Sequence, residues 1–138
     1  MNWKRFIVTV VATWIFFNVF EFIFHGKVLA GIYEQNSSLW RTEAETQELW
    51  FYHPFGLLFI TIAMTALWSR FKIHSGSLLW GVVYGFLIGC MYVGSYITMI
   101  PFALYPMGLV GYWMIGILLE MTIAGTVISA IYKHPDDE

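Results

Sequence analysis

The chain has 138 residues, of which 59% are hydrophobic, 20% aromatic and only 12% charged. Too little polar material is present to coat a soluble core, so the composition indicates an integral membrane protein. The net charge of −2 and the few scattered basic residues exclude the basic surface that nucleic-acid binding requires. The single cysteine, Cys90, excludes an internal disulfide and a multi-cysteine zinc site.

Four apolar stretches follow one another along the chain, at about residues 6–24, 51–68, 78–100 and 108–131. A helix needs roughly 20 residues to cross about 30 Å of hydrocarbon, and each stretch is close to that length. We therefore predict an all-α fold. Residues 1–138 are expected to form a single transmembrane domain, an integral membrane bundle of four helices.

A polar stripe runs along the first span. Asn18, Glu21 and His25 are spaced by three and four residues, so they share one helix face. At about 1.5 Å per residue, Glu21 lies roughly 7 Å below the outer interface, whereas His25 and His53 lie near it. Glu21, His25 and His53 are therefore candidate ligands for a divalent metal such as zinc, iron or nickel. In the alternative interpretation, the histidines bond to lipid headgroups or to Glu21.

The loop between the first two spans contains a helix signal. Thr42 followed by Glu45 fits a capping box, and residues Glu43 to Trp50 have a helix-forming composition. We expect a short interfacial helix on the outer surface, with Trp40 and Trp50 inserting toward lipid.

Glycines are regularly spaced in the third span. Gly81, Gly85 and Gly89 recur every four residues and leave a smooth face that another helix backbone can approach closely. The fourth span offers small residues in return, including Gly116 and Gly125. We expect these faces to pack within the bundle, with a dimerisation face as the alternative.

Glu120 is the deepest ionisable residue, roughly 18 Å below the outer surface and near the middle of the bilayer. Because this depth differs from that of Glu21, we predict two separate polar sites. We expect Glu120 to be protonated or hydrogen-bonded to a group at its own level, where Thr13, Thr65 and Tyr84 are candidates. The alternative is a proton-carrying or cation-binding role.

The orientation in the membrane follows from the basic residues, because cytoplasmic loops retain lysine and arginine. We predict that both termini are cytoplasmic and that the glutamate-rich first loop lies outside. The residues that support this orientation are Lys4, Arg5, Arg70, Lys72 and Lys133.

Several short motifs are distributed along the chain, in addition to the glycine-rich third span. They are His25 to Leu29, Tyr33, Leu39 to Arg41, Glu43 to Glu45, Glu120 to Gly125 and Ile131 to Lys133. This combination resembles a pattern found in small uncharacterised bacterial four-span membrane proteins. The resemblance implies a bacterial inner membrane as the location and implies no mechanism.

Small multidrug exporters also have four helices and a membrane glutamate in the first. The long first loop and the deep Glu120 depart from that pattern, so this similarity is only an analogy.

Two hypotheses about function follow. Common enzyme motifs such as GxSxG, a Walker loop and HExxH are missing from the sequence, which disfavours an enzyme. We expect a non-enzymatic accessory or structural subunit that docks through its glycine faces, in a homo-oligomer or a larger membrane complex. The alternative is an oligomeric proton- or cation-coupled transporter of small molecules, with Glu120 or Glu21 as the carrier. No cofactor other than the candidate divalent metal is predicted, and the lipid bilayer is the expected partner.

Overall fold

The computed structural model describes residues 2–70 and 77–133, and every regular element in them is helical. The all-α prediction is therefore confirmed. Lys72, which was used to predict orientation, lies outside the described residues. The helices are α1 Trp3–Ile23, α2 Ala30–Gln35, α3 Glu43–Leu49, α4 Tyr52–Arg70, α5 Leu78–Met99 and α6 Met107–Ile131.

Four of these helices are long and apolar enough to cross a membrane: α1 with its continuation to Val28, α4, α5 and α6. Large apolar side chains are exposed on the surface of each of them, as at Phe22, Phe59, Leu87 and Ile115. Soluble monomers rarely expose apolar surface over such an extent.

The bundle has two distinguishable ends. The backbone nitrogen of Asn2 donates to the hydroxyl of Tyr132 at 3.3 Å, which brings the first and last described parts of the chain together at what we call the termini end. At the other end, Trp40 stacks on Tyr105 with ring centroids 6.0 Å apart. We call this the loop end, formed by residues 29–51 and 100–106. α6 occupies the centre, because it contacts α1, α4 and α5.

α1 together with its continuation to Val28 is longer at both ends than the predicted span. It begins at Trp3 because the side chain of Asn2 caps it, accepting a hydrogen bond from the backbone nitrogen of Arg5 at 3.2 Å. At the other end, the π-helical turn Phe24–Val28 continues the helical path. Single π-turns of this kind often occur at functional sites, and this one carries His25.

The predicted capping box begins α3. The backbone nitrogen of Thr42 donates to Oε2 of Glu45 at 2.9 Å, and the backbone nitrogen of Glu45 donates to Oγ1 of Thr42 at 3.4 Å. These hydrogen bonds hold the pKa of Glu45 below its usual range. The loop also contains α2 and a 3₁₀ turn over Ser37–Leu39, neither of which the sequence pattern predicted.

We expect the capping box to fail in acid. The pKa of Glu45 is lower in the folded than in the unfolded state. The ionised carboxylate therefore stabilises α3 fully above the ordinary pKa of 4.5, and this stabilisation is lost as the pH falls through the lowered pKa. Amide protection factors in α3, corrected for the intrinsic rate at each pH, should fall over that range. Thr42→Ala should lower them at every pH, whereas Thr46→Ala should leave the acid transition in place. An α3 protection factor that does not change with pH would contradict this account.

α5 packs on α6 with almost no side chain between the two backbones. A Cβ atom at Gly81 would collide with the side chain of Ser129, and one at Gly85 would collide with the backbone of Met121. A Cβ atom at Gly125 would in turn collide with the α5 backbone. The glycine faces of the third and fourth spans therefore meet inside the chain.

Two further glycines lie at close helix contacts, one between α5 and α6 and one between α6 and α1. A Cβ atom at Gly89 would lie 3.0 Å from the Leu118 side chain, so α5 stays close to α6 over about one more turn. Gly116 differs from the prediction, because it faces α1 and not α5. The ring of Phe24 lies against Gly116, where a Cβ atom would collide with it.

The close packing predicts opposite effects for two glycines of α5. We expect Gly85→Ala to lower the free energy of unfolding by about 1–3 kcal/mol, because the added methyl group must displace the α6 backbone. Gly94→Ala meets nothing within 4 Å, so it should stabilise the helix by about 0.5–1 kcal/mol. Reversible unfolding in mixed micelles measures both. Equal effects of the two substitutions would show that α5 does not pack on α6 in this way.

Candidate functional site

Two histidines converge on the carboxyl group of Glu21. Nε2 of His25, one turn further along the same helix, lies 3.2 Å from Oε2 of Glu21. Nε2 of His53, near the start of α4, lies 4.0 Å from the same oxygen. The side chain of His53 is 57% exposed, whereas that of Glu21 is 17% exposed. Glu21 is therefore reached from both helices at the edge of the bundle interior.

Glu120 lies directly behind Glu21. Its side chain is within hydrogen-bonding reach of Glu21, and the residue is only 1% exposed. The prediction of two separate polar sites is therefore wrong, since the two carboxyl groups form one site. The predicted hydroxyl partners are not used either: Tyr84 donates to the backbone oxygen of Met64 at 2.7 Å. No donor among the described residues pairs with Oε1 of Glu120.

Helix direction explains why the two carboxyl groups meet. Side chains in an α-helix lean toward the N-terminus of their own helix. Because α1 and α6 run in opposite directions, Glu21 leans toward the termini end and Glu120 toward the loop end. Phe24 and Gly116, each one turn nearer the loop end, touch in the same register. The predicted depths were counted from an outer interface placed near His25 for the first span, whereas the helical path of α1 continues past His25 to Val28.

The carboxyl pair has a defined chemistry. Two carboxylates in contact repel each other, so in an apolar interior such a pair keeps one proton between them. That proton can leave only if another positive charge takes its place near the two oxygens. The Glu21–Glu120 pair is thus suited to hold either a proton or a cation.

A hydrogen-bond chain links the pair to the loop end. Nε1 of Trp113 in α6 donates to the hydroxyl oxygen of Tyr33 in α2 at 2.7 Å. The Tyr33 hydroxyl is also hydrogen-bonded to Nδ1 of His25. Burial raises the pKa of Tyr33, so its hydroxyl keeps its hydrogen at neutral pH. The chain runs from Trp113 through Tyr33 and His25 to Glu21.

The direction of these hydrogen bonds follows from which of the groups can donate and which can accept. An indole nitrogen can only donate, so the Tyr33 oxygen accepts from Trp113 and directs its own hydrogen to His25. Nδ1 of a neutral His25 is then the acceptor and Nε2 carries the hydrogen. This tautomer donates to Glu21, which lies on the Nε2 side. Tyr33 therefore determines that the hydrogen of neutral His25 lies on the nitrogen that faces Glu21.

An aromatic cluster covers the site at the loop end. Trp40 stacks on Tyr105 and meets Tyr33 edge to face, with centroids 5.2 Å apart in the second pair. Trp113 contacts Tyr105 at 5.1 Å. Trp40 had been expected to insert toward lipid, but its ring packs against these other rings. The first loop is thereby fastened to the ends of α5 and α6 next to His25.

Two cavities meet at this site. The larger has a volume of about 1550 Å³ and extends between α1 and α4 under residues 39–50, with Glu21 and His53 in its wall. The smaller, of about 410 Å³, is lined by Tyr96 of α5 and Trp113 of α6. His25, Tyr33 and Tyr105 line both cavities, so they form the partition between them.

The larger cavity is mainly apolar and is reached from the surface of the bundle. Phe22 of α1 and Phe55 of α4 lie in its wall and are more than half exposed. Asn18 is also in the wall, and its side chain donates to the backbone oxygen of Trp14 at 2.8 Å. Glu21 therefore supplies a carboxyl group at the end of an apolar groove.

The predicted metal site finds no support in this arrangement. Within residues 2–70 and 77–133, no group of three histidine, cysteine, aspartate or glutamate side chains is arranged to hold a metal ion. Glu21, His25 and His53 do approach one another, but His53 lies 4.0 Å from the shared oxygen and points toward the open cavity. A metal at these residues stays a prediction.

The sequence pattern missed Tyr33 and Trp113. Tyr33 entered only as part of the family resemblance, and Trp113 was not singled out. The two residues lie 80 positions apart in the chain, so no local spacing could connect them. The position of Tyr33 in α2, next to His25, was the missing information.

Removing the Tyr33 hydroxyl should loosen the site. Tyr33→Phe leaves the indole N–H of Trp113 and Nδ1 of His25 without this partner, at an expected cost of about 1–3 kcal/mol in the free energy of unfolding. Tyr112→Phe, at a half-exposed position of α6, is the control and should change stability little. Thermal unfolding followed by tryptophan fluorescence measures both. Equal stability of Tyr33→Phe and wild type would argue against the hydrogen-bond chain.

Comparison with known proteins adds no relative, because no protein family, curated protein or solved structure matches this chain. The similarity to small bacterial four-span proteins therefore stays a prediction. The function has to be inferred from the site itself.

Proposed function

We propose that this protein is an integral protein of a bacterial inner membrane that binds amphipathic organic cations and exchanges them for protons at the Glu21–Glu120 pair. The observation that carries the proposal is the contact between the buried Glu120 and Glu21, whose carboxyl group lines the large apolar cavity. The pair holds a proton when the cavity is empty and a cation when it is filled. This corresponds to the transporter hypothesis derived from the sequence.

The membrane location is supported by the four long apolar helices and their exposed apolar side chains. The orientation is supported by the basic residues at the termini end, where Lys4, Arg5, Arg70 and Lys133 lie. With this orientation the termini end is cytoplasmic, and the loop end with its aromatic cluster faces the outside.

The class of ligand follows from the cavity wall. Its apolar side chains suit a hydrophobic body, and the tryptophan rings in its wall, Trp14, Trp40 and Trp50, suit a positive charge. The carboxyl group of Glu21 gives that charge a partner. Because Phe22 and Phe55 connect the cavity with the lipid-facing surface, a hydrophobic cation can enter from the bilayer.

The exchange balances in charge. When a cation reaches Glu21, it neutralises one carboxylate, so the proton shared with Glu120 is no longer needed and is released. When a proton returns, the pair again carries one negative charge and the cation loses its partner. Binding of the two ligands is therefore competitive, as a coupling between them requires.

The accessory-subunit hypothesis receives less support. It relied on the glycine faces as docking surfaces for a partner. Gly81 and Gly85 of α5 lie against Gly125 and its neighbours in α6, so these faces are already used within the chain. A partner would have to dock on another surface.

Proton release tests the proposal directly. Tetraphenylphosphonium, a hydrophobic cation without a proton of its own, is added to the purified protein in weakly buffered detergent solution with a pH indicator. We expect release of about one proton per chain from the wild type, since one proton is shared by the pair. Glu21→Gln and Glu120→Gln should each lower the release about ten-fold or more, because each removes one member of the pair.

A matched control is Glu48→Gln, at an exposed position in α3, which should release as much as the wild type. Binding is measured in parallel by isothermal titration, so that lost release is distinguished from lost folding. A wild type that binds no tetraphenylphosphonium, or binds it without releasing a proton, would contradict the proposed exchange.

A further inference from the structure

Four threonines are completely buried in the half of the bundle between the carboxyl pair and the termini end. Thr9 and Thr13 lie on α1, and Thr61 and Thr65 lie on α4, which packs against α1. All four are 0% exposed. Hydroxyl groups are costly at such positions unless they are hydrogen-bonded. The arrangement therefore calls for a physical explanation.

Half of these hydroxyl groups lack a partner. Thr9 donates to the backbone oxygen of Arg5 at 2.7 Å, and Thr61 donates to that of Leu57 at 2.7 Å. Oγ1 of Thr13 and Oγ1 of Thr65 have no hydrogen-bond partner among the described residues. Helical threonines readily bond to the carbonyl group four residues earlier, so these two rotamers leave an available bond unused.

The register places the hydroxyl groups at regular intervals. Nε1 of Trp68 donates to the backbone oxygen of Tyr132 at 3.1 Å, and the backbone nitrogen of Asn2 donates to the Tyr132 hydroxyl. The ends of α1 and α4 are thus both held near Tyr132. At about 1.5 Å per residue along each helix, Thr65 and Thr61 lie about 5 Å and 11 Å from Trp68, and Thr9 and Thr13 lie about 11 Å and 17 Å from Asn2.

On α6, Glu120 lies about 18 Å along the helix from Tyr132, a distance similar to that of Thr13 from Asn2. Within each of α1 and α4 the two threonines are four residues, or about 6 Å, apart, which matches the span of two hydrogen bonds through one water molecule. Thr9 and Thr61 keep free lone pairs after donating, so they can accept from such a water. Each intervening water would then have the two or more polar partners that a buried water needs.

We propose that Thr13, Thr61, Thr9 and Thr65 line a hydrated path that carries protons between the Glu21–Glu120 pair and the termini end. The inference rests on the proposed function in taking this pair as the group that holds the proton. It adds the direction of the exchange. Cations reach the pair through the cavity at the loop-end half, whereas protons reach it along the hydroxyl path from the opposite end.

Sided pH jumps test the path. The protein is reconstituted in vesicles, and a C-terminal tag separates those with the termini outward from those with the termini inward. The infrared carbonyl band of the protonated carboxyl pair, assigned through its loss in Glu120→Gln, is followed after a rapid change of the external pH. This readout needs no organic cation.

The double variant Thr13→Val, Thr65→Val keeps the shape of both side chains and removes the unpartnered hydroxyl groups. We expect the response from the termini side to slow about ten-fold or more, the rate effect of losing a hydrogen bond along the path. The response from the loop side should not change. Thr13→Ser, Thr65→Ser keeps the hydroxyl groups and should respond at the wild-type rate, as should Thr126→Val, whose hydroxyl bonds to the backbone of its own helix.

Stability distinguishes a hydrated path from a dry core. If the two hydroxyl groups are simply unsatisfied, the double valine variant will unfold at a higher temperature and keep wild-type kinetics, which would overturn the inference. Slower kinetics from the termini side at unchanged or lower stability supports it. A wild type that shows the sided response but no proton release with tetraphenylphosphonium would reject the proposed function and leave the path standing.

Discussion

The Glu21 carboxyl group meets the Glu120 carboxyl group inside a bundle whose core is otherwise built largely from apolar side chains such as Phe17, Met121 and Ile128. An isolated charge in such surroundings costs several kcal/mol, and two like charges in contact cost more. The pair therefore requires a compensating positive charge at all times. This requirement explains the neighbouring hydrogen-bond donors, and the proposed exchange of a proton for a cation depends on it.

The helix packing holds the pair in place from two sides. α5 lies on α6 through glycines, which fixes the position of the helix that carries Glu120. On the other side, Phe24 packs against Gly116 one turn nearer the loop end than the carboxyl groups, and this contact sets the register of α1 against α6. Small residues thus bring the helices close, and the polar contact forms where two side chains lean toward each other.

The π-turn and the first loop give the site its access. The turn Phe24–Val28 carries His25 at the point where α1 leaves the bundle, and α2 brings Tyr33 back to it. The aromatic cluster around Trp40 then closes the loop end, while the cavity between α1 and α4 stays open to the lipid-facing surface. In the proposed exchange, the cation approaches the pair from this cavity and the proton from the termini end.

The sequence by itself determined the helical class, the four apolar helices, the capping box at Thr42 and the costly residues Glu21, His25 and Glu120, because length, hydropathy and local spacing act within a single segment. Only the tertiary structure decided that Glu21 and Glu120 form one site and that Gly116 faces α1. It alone also joined Tyr33 to His25 and Trp113. Such contacts depend on helix direction, side-chain lean and packing between segments far apart in the chain, and a periodic pattern within one helix contains none of that information.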